Sequence, residues 1–127
     1  MLKVFYVGLG GFLGSAMRYL VSVYSARLFG TQFPYGTLIV NVGGGFLIGL
    51  ITGISLSTDL ISPDLKLFLV TGIIGGFTTF STFSNETAGL LAAGSYSLGV
   101  LNICLNLFLG LGGVALGGLI ARLVAHA

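Results

Sequence analysis

Long apolar runs, separated by short polar connections, dominate the chain. Four runs reach the roughly 20 residues that one crossing of a bilayer core requires. They are Val4–Phe29, Tyr35–Ser57, Leu65–Ala92 and Ser97–Val124. The pattern predicts an all-α membrane protein, with residues 1–127 forming one domain of four transmembrane helices.

The connections carry residues that end and start helices. They are Gly30–Pro34, Thr58–Asp64 and the pair Gly94-Ser95. In the second connection, Ser62 suits an N-cap and Pro63 suits the first helical position. The first run is too long for a cleaved signal peptide, contains Arg18 and lacks a clear small-residue cleavage site. We therefore expect it to be retained as a helix.

Composition supports a membrane protein and excludes several functions. Hydrophobic residues make up 55% of the chain and charged residues only 6%, whereas soluble domains carry roughly 25% charged residues. The formal net charge of +2 comes without a basic run, so no nucleic-acid partner is expected. No nucleophile elbow, P-loop or zinc-protease motif occurs. We therefore predict that the protein is not an enzyme.

Glycine is unusually frequent, with 22 copies in 127 residues against a typical share of roughly 7%. Several glycines repeat every four residues, which forms the small-residue faces on which membrane helices approach closely. These faces are Gly10 and Gly14 in the first run, Gly45, Gly49 and Gly53 in the second, and Gly113 and Gly117 in the fourth. Because a bundle of only four helices has little interior in which to shelter polar groups from lipid, we also expect an oligomer.

Charged residues give a weak signal for orientation. Four crossings place both termini on one side, together with Lys3, Lys66 and Arg122, while Arg27 lies opposite, with Arg18 as a second candidate for that side. This is a small positive-inside bias. The hypothesis that follows is insertion in both orientations, which would allow an antiparallel homodimer.

Polar residues inside the apolar runs are candidates for function, because they cost free energy in lipid. Arg18 suits an interfacial anchor or a group that attracts an anion to a pore mouth. Asn41 suits an interhelical hydrogen bond or a donor to a passing ion. Asn102 and Asn106 are one helical turn apart, which suits either helix packing or a pore wall.

The third run combines poor helix formers with hydroxyl residues. Gly75-Gly76 is followed by Phe77-Thr78-Thr79-Phe80-Ser81-Thr82-Phe83-Ser84. Gly costs ~1 kcal/mol relative to Ala in a helix, and Ser and Thr compete for backbone groups. We predict that this helix is broken at the paired glycines. Unwound carbonyl groups at membrane depth can then coordinate a hard cation.

Aromatic and polar side chains follow the predicted break on separate faces. Phe80 and Phe83 share one face, and Thr79, Thr82 and Glu86 share another. The edge of a phenyl ring is partly positive, so the two rings could line a path for an anion. The alternative is that they pack in the core or against lipid.

At this point the residues resemble the CrcB/Fluc family of fluoride channels over nearly the whole chain. Three strings carry the resemblance: Gly10-Gly11-Phe12-Leu13-Gly14-Ser15-Ala16-Met17-Arg18-Tyr19, Gly36-Thr37-Leu38-Ile39-Val40-Asn41 with Phe46 and Gly49, and Gly75-Gly76-Phe77-Thr78-Thr79-Phe80-Ser81-Thr82-Phe83-Ser84. The third string is the most specific of the three.

The resemblance implies an antiparallel, dual-topology homodimer with two narrow fluoride pathways. It also implies a central structural sodium ion, held by the backbone carbonyls of Gly75 and Thr78 from both subunits. The residues that it places along the fluoride path are Asn41, Phe80, Phe83, Ser81 and Thr82, with Asn102 and Asn106 along the outer part of the path and the Glu86 carboxylate beyond it. In the fourth helix the family often has a tyrosine and serines where this chain has Asn102 and Asn106.

The expected function is passive export of fluoride across a bacterial plasma (inner) membrane. A small dual-topology proton-coupled exchanger is the main alternative, and a structural membrane subunit is another. An exchanger would need an intramembrane carboxylate in a pocket rich in Trp or Tyr. Glu86 is the sole carboxylate outside the connections, and the chain has no Trp.

Overall fold

A computed structural model describes residues 1–127, and its architecture is entirely helical. Four helical segments are long and apolar enough to cross a membrane, as the sequence predicts. Along the chain the elements are α1 (Leu2–Phe29), α2 (Tyr35–Ser57), α3 (Pro63–Lys66), a π-helix (Leu67–Ile74), α4 (Gly75–Phe77), α5 (Phe80–Ala92) and α6 (Tyr96–Ala125). The elements from α3 to α5 together form the third crossing.

The third crossing is interrupted, as predicted, but not at the paired glycines. Gly75 keeps a helical backbone, with φ −60° and ψ −38°. Thr78 (φ −84°, ψ 158°) and Thr79 (φ −152°, ψ 115°) are extended instead. The prediction of a break at Gly75-Gly76 is therefore wrong in position, because the interruption follows α4.

Side chains rather than glycine flexibility cause this break. Gly76 serves close packing, since a Cβ there would lie 2.6 Å from the Gly11 carbonyl oxygen of α1. At Thr79 the backbone N–H donates to Asn41 Oδ1 at 2.8 Å instead of continuing the helix. The Thr79 hydroxyl then accepts the Thr82 N–H at 3.2 Å and caps α5.

Glycine faces join the crossings in pairs, as the small-residue pattern predicts. On α2, a Cβ at Gly45 would lie 2.9 Å from the Gly110 carbonyl oxygen of α6, and one at Gly53 would lie 2.5 Å from the Ala121 Cβ. On α1, a Cβ at Gly10 would lie 2.8 Å from the Gly72 Cα of the π-helix. Backbones thus approach so closely that side chains are excluded between them.

Little of the apolar surface is covered within one copy of the chain. The buried apolar side chains are only Phe33, Val40, Ile74 and Ala121, whereas large apolar side chains project outward along every crossing. This surface would be unstable in water, but it suits contact with lipid or with another membrane helix.

The connections follow the predicted turn chemistry. The Ser62 hydroxyl accepts the Leu65 N–H at 3.1 Å, with Pro63 in the first turn. Gly30 (φ 83°) and Gly94 (φ 81°) adopt left-handed backbone conformations where the chain leaves α1 and α5.

Gly14→Ala tests whether the glycine faces hold the crossings together. A Cβ at Gly14 would overlap the Ile73 backbone, whereas a Cβ at Gly8 on the same helix meets nothing within 4 Å. Overpacking typically costs ~1–3 kcal/mol, so Gly14→Ala should lower the unfolding midpoint in detergent. The matched Gly8→Ala should leave it unchanged or raise it, because Ala favours helices. Equal midpoints for both variants would contradict this account of the packing.

Candidate functional site

A groove of about 510 Å³ opens on one side of the protomer beside the interrupted crossing. It lies where α2, the break, α5 and α6 meet. The groove contains Asn41, Thr78, Phe80, Phe83 and Asn106, together with glycines and aliphatic side chains of α2 and α6. It contains no charged side chain. Five of the residues predicted from the sequence are thus brought together.

Asn41 joins α2 to the break and to α6. Its Oδ1 accepts the Thr79 N–H at 2.8 Å, and its Nδ2 donates to the Thr79 carbonyl oxygen at 3.1 Å. The same Nδ2 donates to Asn106 Oδ1 at 3.0 Å. Both amide hydrogens therefore have acceptors, and the amide replaces the backbone partners that Thr79 would have in a continuous helix.

A chain of hydrogen bonds continues from Asn106 into the helix bundle. Asn106 Nδ2 donates to Asn102 Oδ1 at 3.0 Å and to the Asn102 carbonyl oxygen at 2.9 Å. Asn102 Nδ2 donates to the Thr87 hydroxyl at 2.9 Å, and that hydroxyl donates to the Phe83 carbonyl oxygen at 2.8 Å. Asn102 is fully buried, so its side chain lies behind the groove wall.

The two phenylalanines form a pair at the groove. Their ring centroids are 5.7 Å apart, and the ring planes are inclined by 51°. Phe80 is 79% exposed in the single chain, whereas Phe83 is half-buried. The rings follow an interruption in the helix and border the groove, although one ring is still largely uncovered.

The hydroxyl residues around the break stabilise the start of α5. The Thr79 hydroxyl donates to Thr82 Oγ1 at 3.0 Å and lies 3.5 Å from Ser81 Oγ. Ser81 is exposed and Thr82 is half-buried. Neither Ser81 nor Thr82 borders the groove of the single chain. Their position along an ion path stays a prediction.

The carbonyl oxygens of Gly75 and Thr78 lack the N–H partners that a continuous helix would give them. The Thr78 carbonyl oxygen accepts no hydrogen bond from the protein. The Thr79 N–H, the helical partner of the Gly75 carbonyl, is diverted to Asn41. Gly75 is exposed, and a Cβ there would meet only the Val70 carbonyl oxygen at 3.6 Å.

Glu86 lies in a separate cavity of about 360 Å³ between the connection Gly30–Pro34 and α5. Its Oε1 is buried and has no hydrogen-bond partner. Hydroxyl residues of α1 and α2 also border this cavity: Ser22, Ser25 and Thr37. Arg18 is half-buried on α1 and borders neither cavity.

Sequence reasoning missed two features of this site. Thr87 carries no motif that marks it in the sequence, although it lies one helical turn after Phe83 and is buried. The π-helix before the break also gave no signal, because its sequence is apolar apart from Thr71. Wide helical turns of this kind are frequently found at functional sites.

Comparison with known proteins identifies the family. A sequence model of the family described as "CrcB-like protein, Camphor Resistance (CrcB)" matches residues 5–118. A relative in Clostridium perfringens is 54% identical over 118 residues, which are 93% of this chain and 92% of the relative. It is named "Fluoride-specific ion channel FluC".

Other relatives carry the same name. One in Clostridium novyi is 51% identical over 93% of this chain and 92% of its own length. One in Ruminiclostridium cellulolyticum is 48% identical over 98% of this chain and 96% of its own length. The chain is therefore a multi-pass protein of the bacterial plasma membrane and not an enzyme. With its matched residues running from the first crossing into the last, it belongs to the CrcB family.

Proposed function

We propose that the protein is a fluoride channel that lets fluoride leave the cell passively. The observation that carries this proposal is the uncharged groove in which Asn41, the phenylalanine pair and the interrupted backbone meet. The relatives named as fluoride-specific ion channels support it.

The chemistry of the groove suits a small, strongly hydrated anion. Such an ion enters a narrow path only if protein groups replace its water molecules. Phenyl edges are partly positive, and an amide donor adds directional N–H groups. The groove contains no fixed positive charge, which would otherwise hold the ion too tightly for it to leave.

Asn41 supplies a donor by exchanging partners. Both of its N–H groups are engaged, one with Thr79 and one with Asn106. An anion beside Asn41 would take over the N–H now donated to Asn106 Oδ1. Because one hydrogen bond replaces another, the ion is bound without leaving a buried donor unpaired.

A second copy of the chain would complete the pathway. Phe80 is 79% exposed in one protomer, and the groove is open on that side. We propose an antiparallel homodimer in which each protomer helps to close the groove of the other, which gives two pathways. Ser81 and Thr82 would extend the polar route beyond the rings, the Glu86 carboxylate would lie past the end of that route, and Arg18 would attract anions near its mouth.

A central sodium ion would be held by the backbone carbonyls of Gly75 and Thr78 from both protomers. The unpartnered Thr78 carbonyl fits a hard cation, which prefers oxygen ligands. No cluster of His, Cys, Asp or Glu suggests another metal. When bound, the ion would neutralise carbonyl dipoles at the centre of the dimer.

The alternative of a proton-coupled exchanger lacks comparable support. Its titrating carboxylate should lie in the transport groove. Glu86, the sole carboxylate outside the connections, lies in the other cavity. Fluoride flux that required a proton gradient would favour the exchanger.

Phe80→Ile and Phe83→Ile test the pathway. Each removes a ring edge but keeps an apolar side chain, so fluoride efflux from liposomes should fall at least about tenfold, which corresponds to ~1.4 kcal/mol of lost ion stabilisation. Phe5→Ile is the control, because Phe5 is similarly exposed at the start of α1. Wild-type efflux in both groove variants, with the dimer intact, would overturn the assignment of the rings to the pathway.

Gly75→Val tests the proposed central ion site. A Cβ at Gly75 would meet only the Val70 carbonyl oxygen, at an ordinary contact distance of 3.6 Å, so the variant should fold but lose dimer or fluoride efflux. Gly89→Val is the control, since a Cβ there meets nothing within 4 Å. Dimer content can be measured by light scattering in detergent, with and without sodium. If Gly75→Val assembles and conducts as the wild type does, no ion site lies between the protomers at this position.

A further inference from the structure

The helix α5 buries a single residue, and that residue is a threonine, Thr87. The helices α2 and α6, by contrast, are joined by direct backbone packing at their glycines. Apolar packing therefore fixes α2 against α6, whereas the close apolar contact of α5 with α6 is that of Leu90 and Leu91 beside Gly99, at the far end of α5 from its phenylalanine pair. A different interaction has to hold the helix that carries the phenylalanine pair.

One chain of hydrogen bonds holds α5 at two points. At the first point, Asn41 binds both backbone groups of Thr79, directly before the helix. At the second, Asn102 Nδ2 donates to the Thr87 hydroxyl. Asn106 links the two asparagines, so both points belong to a single connected path.

Phe80 and Phe83 lie between these two points along the chain. The Thr87 hydroxyl also donates to the Phe83 carbonyl oxygen at 2.8 Å. The hydrogen-bond path therefore ends at the backbone of Phe83, which carries the second ring. A rotation of α5 would break a bond at Thr79 or at Thr87. This hydrogen-bond path thus couples the orientation of both phenyl rings to the asparagine amides of α2 and α6.

We propose that Asn102 and Thr87 are positioning residues for ion passage, with Asn102 acting from behind the groove wall. They set the rotation of α5 and so the direction of the two phenyl edges. This inference rests on the proposed fluoride channel. It differs from a role as pathway lining, because Asn102 is 0% exposed and faces no open space in the protomer.

Thr87→Val is the central test, since it removes the hydroxyl and keeps the branched shape. Hydrogen bonds between membrane helices contribute ~0.6 kcal/mol on average and up to ~1.7 kcal/mol. That range converts to a fall in fluoride efflux per assembled dimer of about threefold to about twentyfold. Asn102→Leu should cause a fall of the same size.

Two further variants separate positioning from general stability. Thr87→Ser keeps the hydroxyl and should restore efflux to near the wild-type level. Thr71→Val is the matched control, because Thr71 is an exposed threonine of the same crossing. The double variant of Asn102→Leu and Thr87→Val should be no worse than the more impaired single variant, since both break one path.

Amide hydrogen exchange provides a readout that does not depend on fluoride. Loss of either residue should speed exchange of the Thr79 N–H and of the amides in the first turn of α5, while amides of α1 keep their protection. If wild-type protein exports no fluoride, the proposed function fails, and exchange alone decides this inference. Unchanged exchange in Thr87→Val, failure of Thr87→Ser to restore efflux, or additive losses in the double variant would each overturn it.

Discussion

The architecture around the groove depends on the diversion of one backbone N–H group. In a continuous helix the Thr79 N–H would bond within the third crossing, but it donates to Asn41 Oδ1 instead. The Asn41 amide returns a hydrogen bond to the Thr79 carbonyl, so the extended residue keeps both of its partners inside the membrane. The two hydrogen bonds to Asn41 replace those of a continuous helix, and they satisfy the rule that backbone polar groups in lipid must be bonded within the protein. It also starts α5 in a new direction, which brings the phenylalanine pair beside α2 and α6.

Close helix packing holds the interrupted crossing in place in this small protein. Glycine faces let α2 meet α6, and α1 meet the π-helix, at backbone distance. Because few apolar side chains are buried in the process, one copy has no deep interior in which to enclose an ion path. Asn41, Asn106 and the threonines of the break consequently border an open groove, which a second copy of the chain would cover.

Much of the fold follows from the sequence because the bilayer imposes simple length and polarity constraints. The four crossings, the Ser62 cap and the glycine faces are all local or periodic features, and all were predicted correctly. The position of the break was not, because it depends on Asn41, which is 38 residues earlier in the chain. Glycines alone suggested Gly75-Gly76, yet Gly76 is needed for packing against Gly11. The residues around the groove could be named from the resemblance, whereas the role of Thr87 required knowledge of which α6 side chain it meets.

The three asparagine amides at and behind the groove all point the same way. Each donates to the next from Asn41 to Asn106, from Asn106 to Asn102 and from Asn102 to Thr87. Turning the Asn106 amide around would set two N–H groups against each other at Asn41 and two oxygens against each other at Asn102. The Thr79 backbone, which donates to Asn41 Oδ1 and accepts from Asn41 Nδ2, therefore fixes the direction of the whole row, and the aligned dipoles reinforce one another. A change at any one of these positions therefore alters the hydrogen bonding of its neighbours, from the Thr79 backbone to the Thr87 hydroxyl.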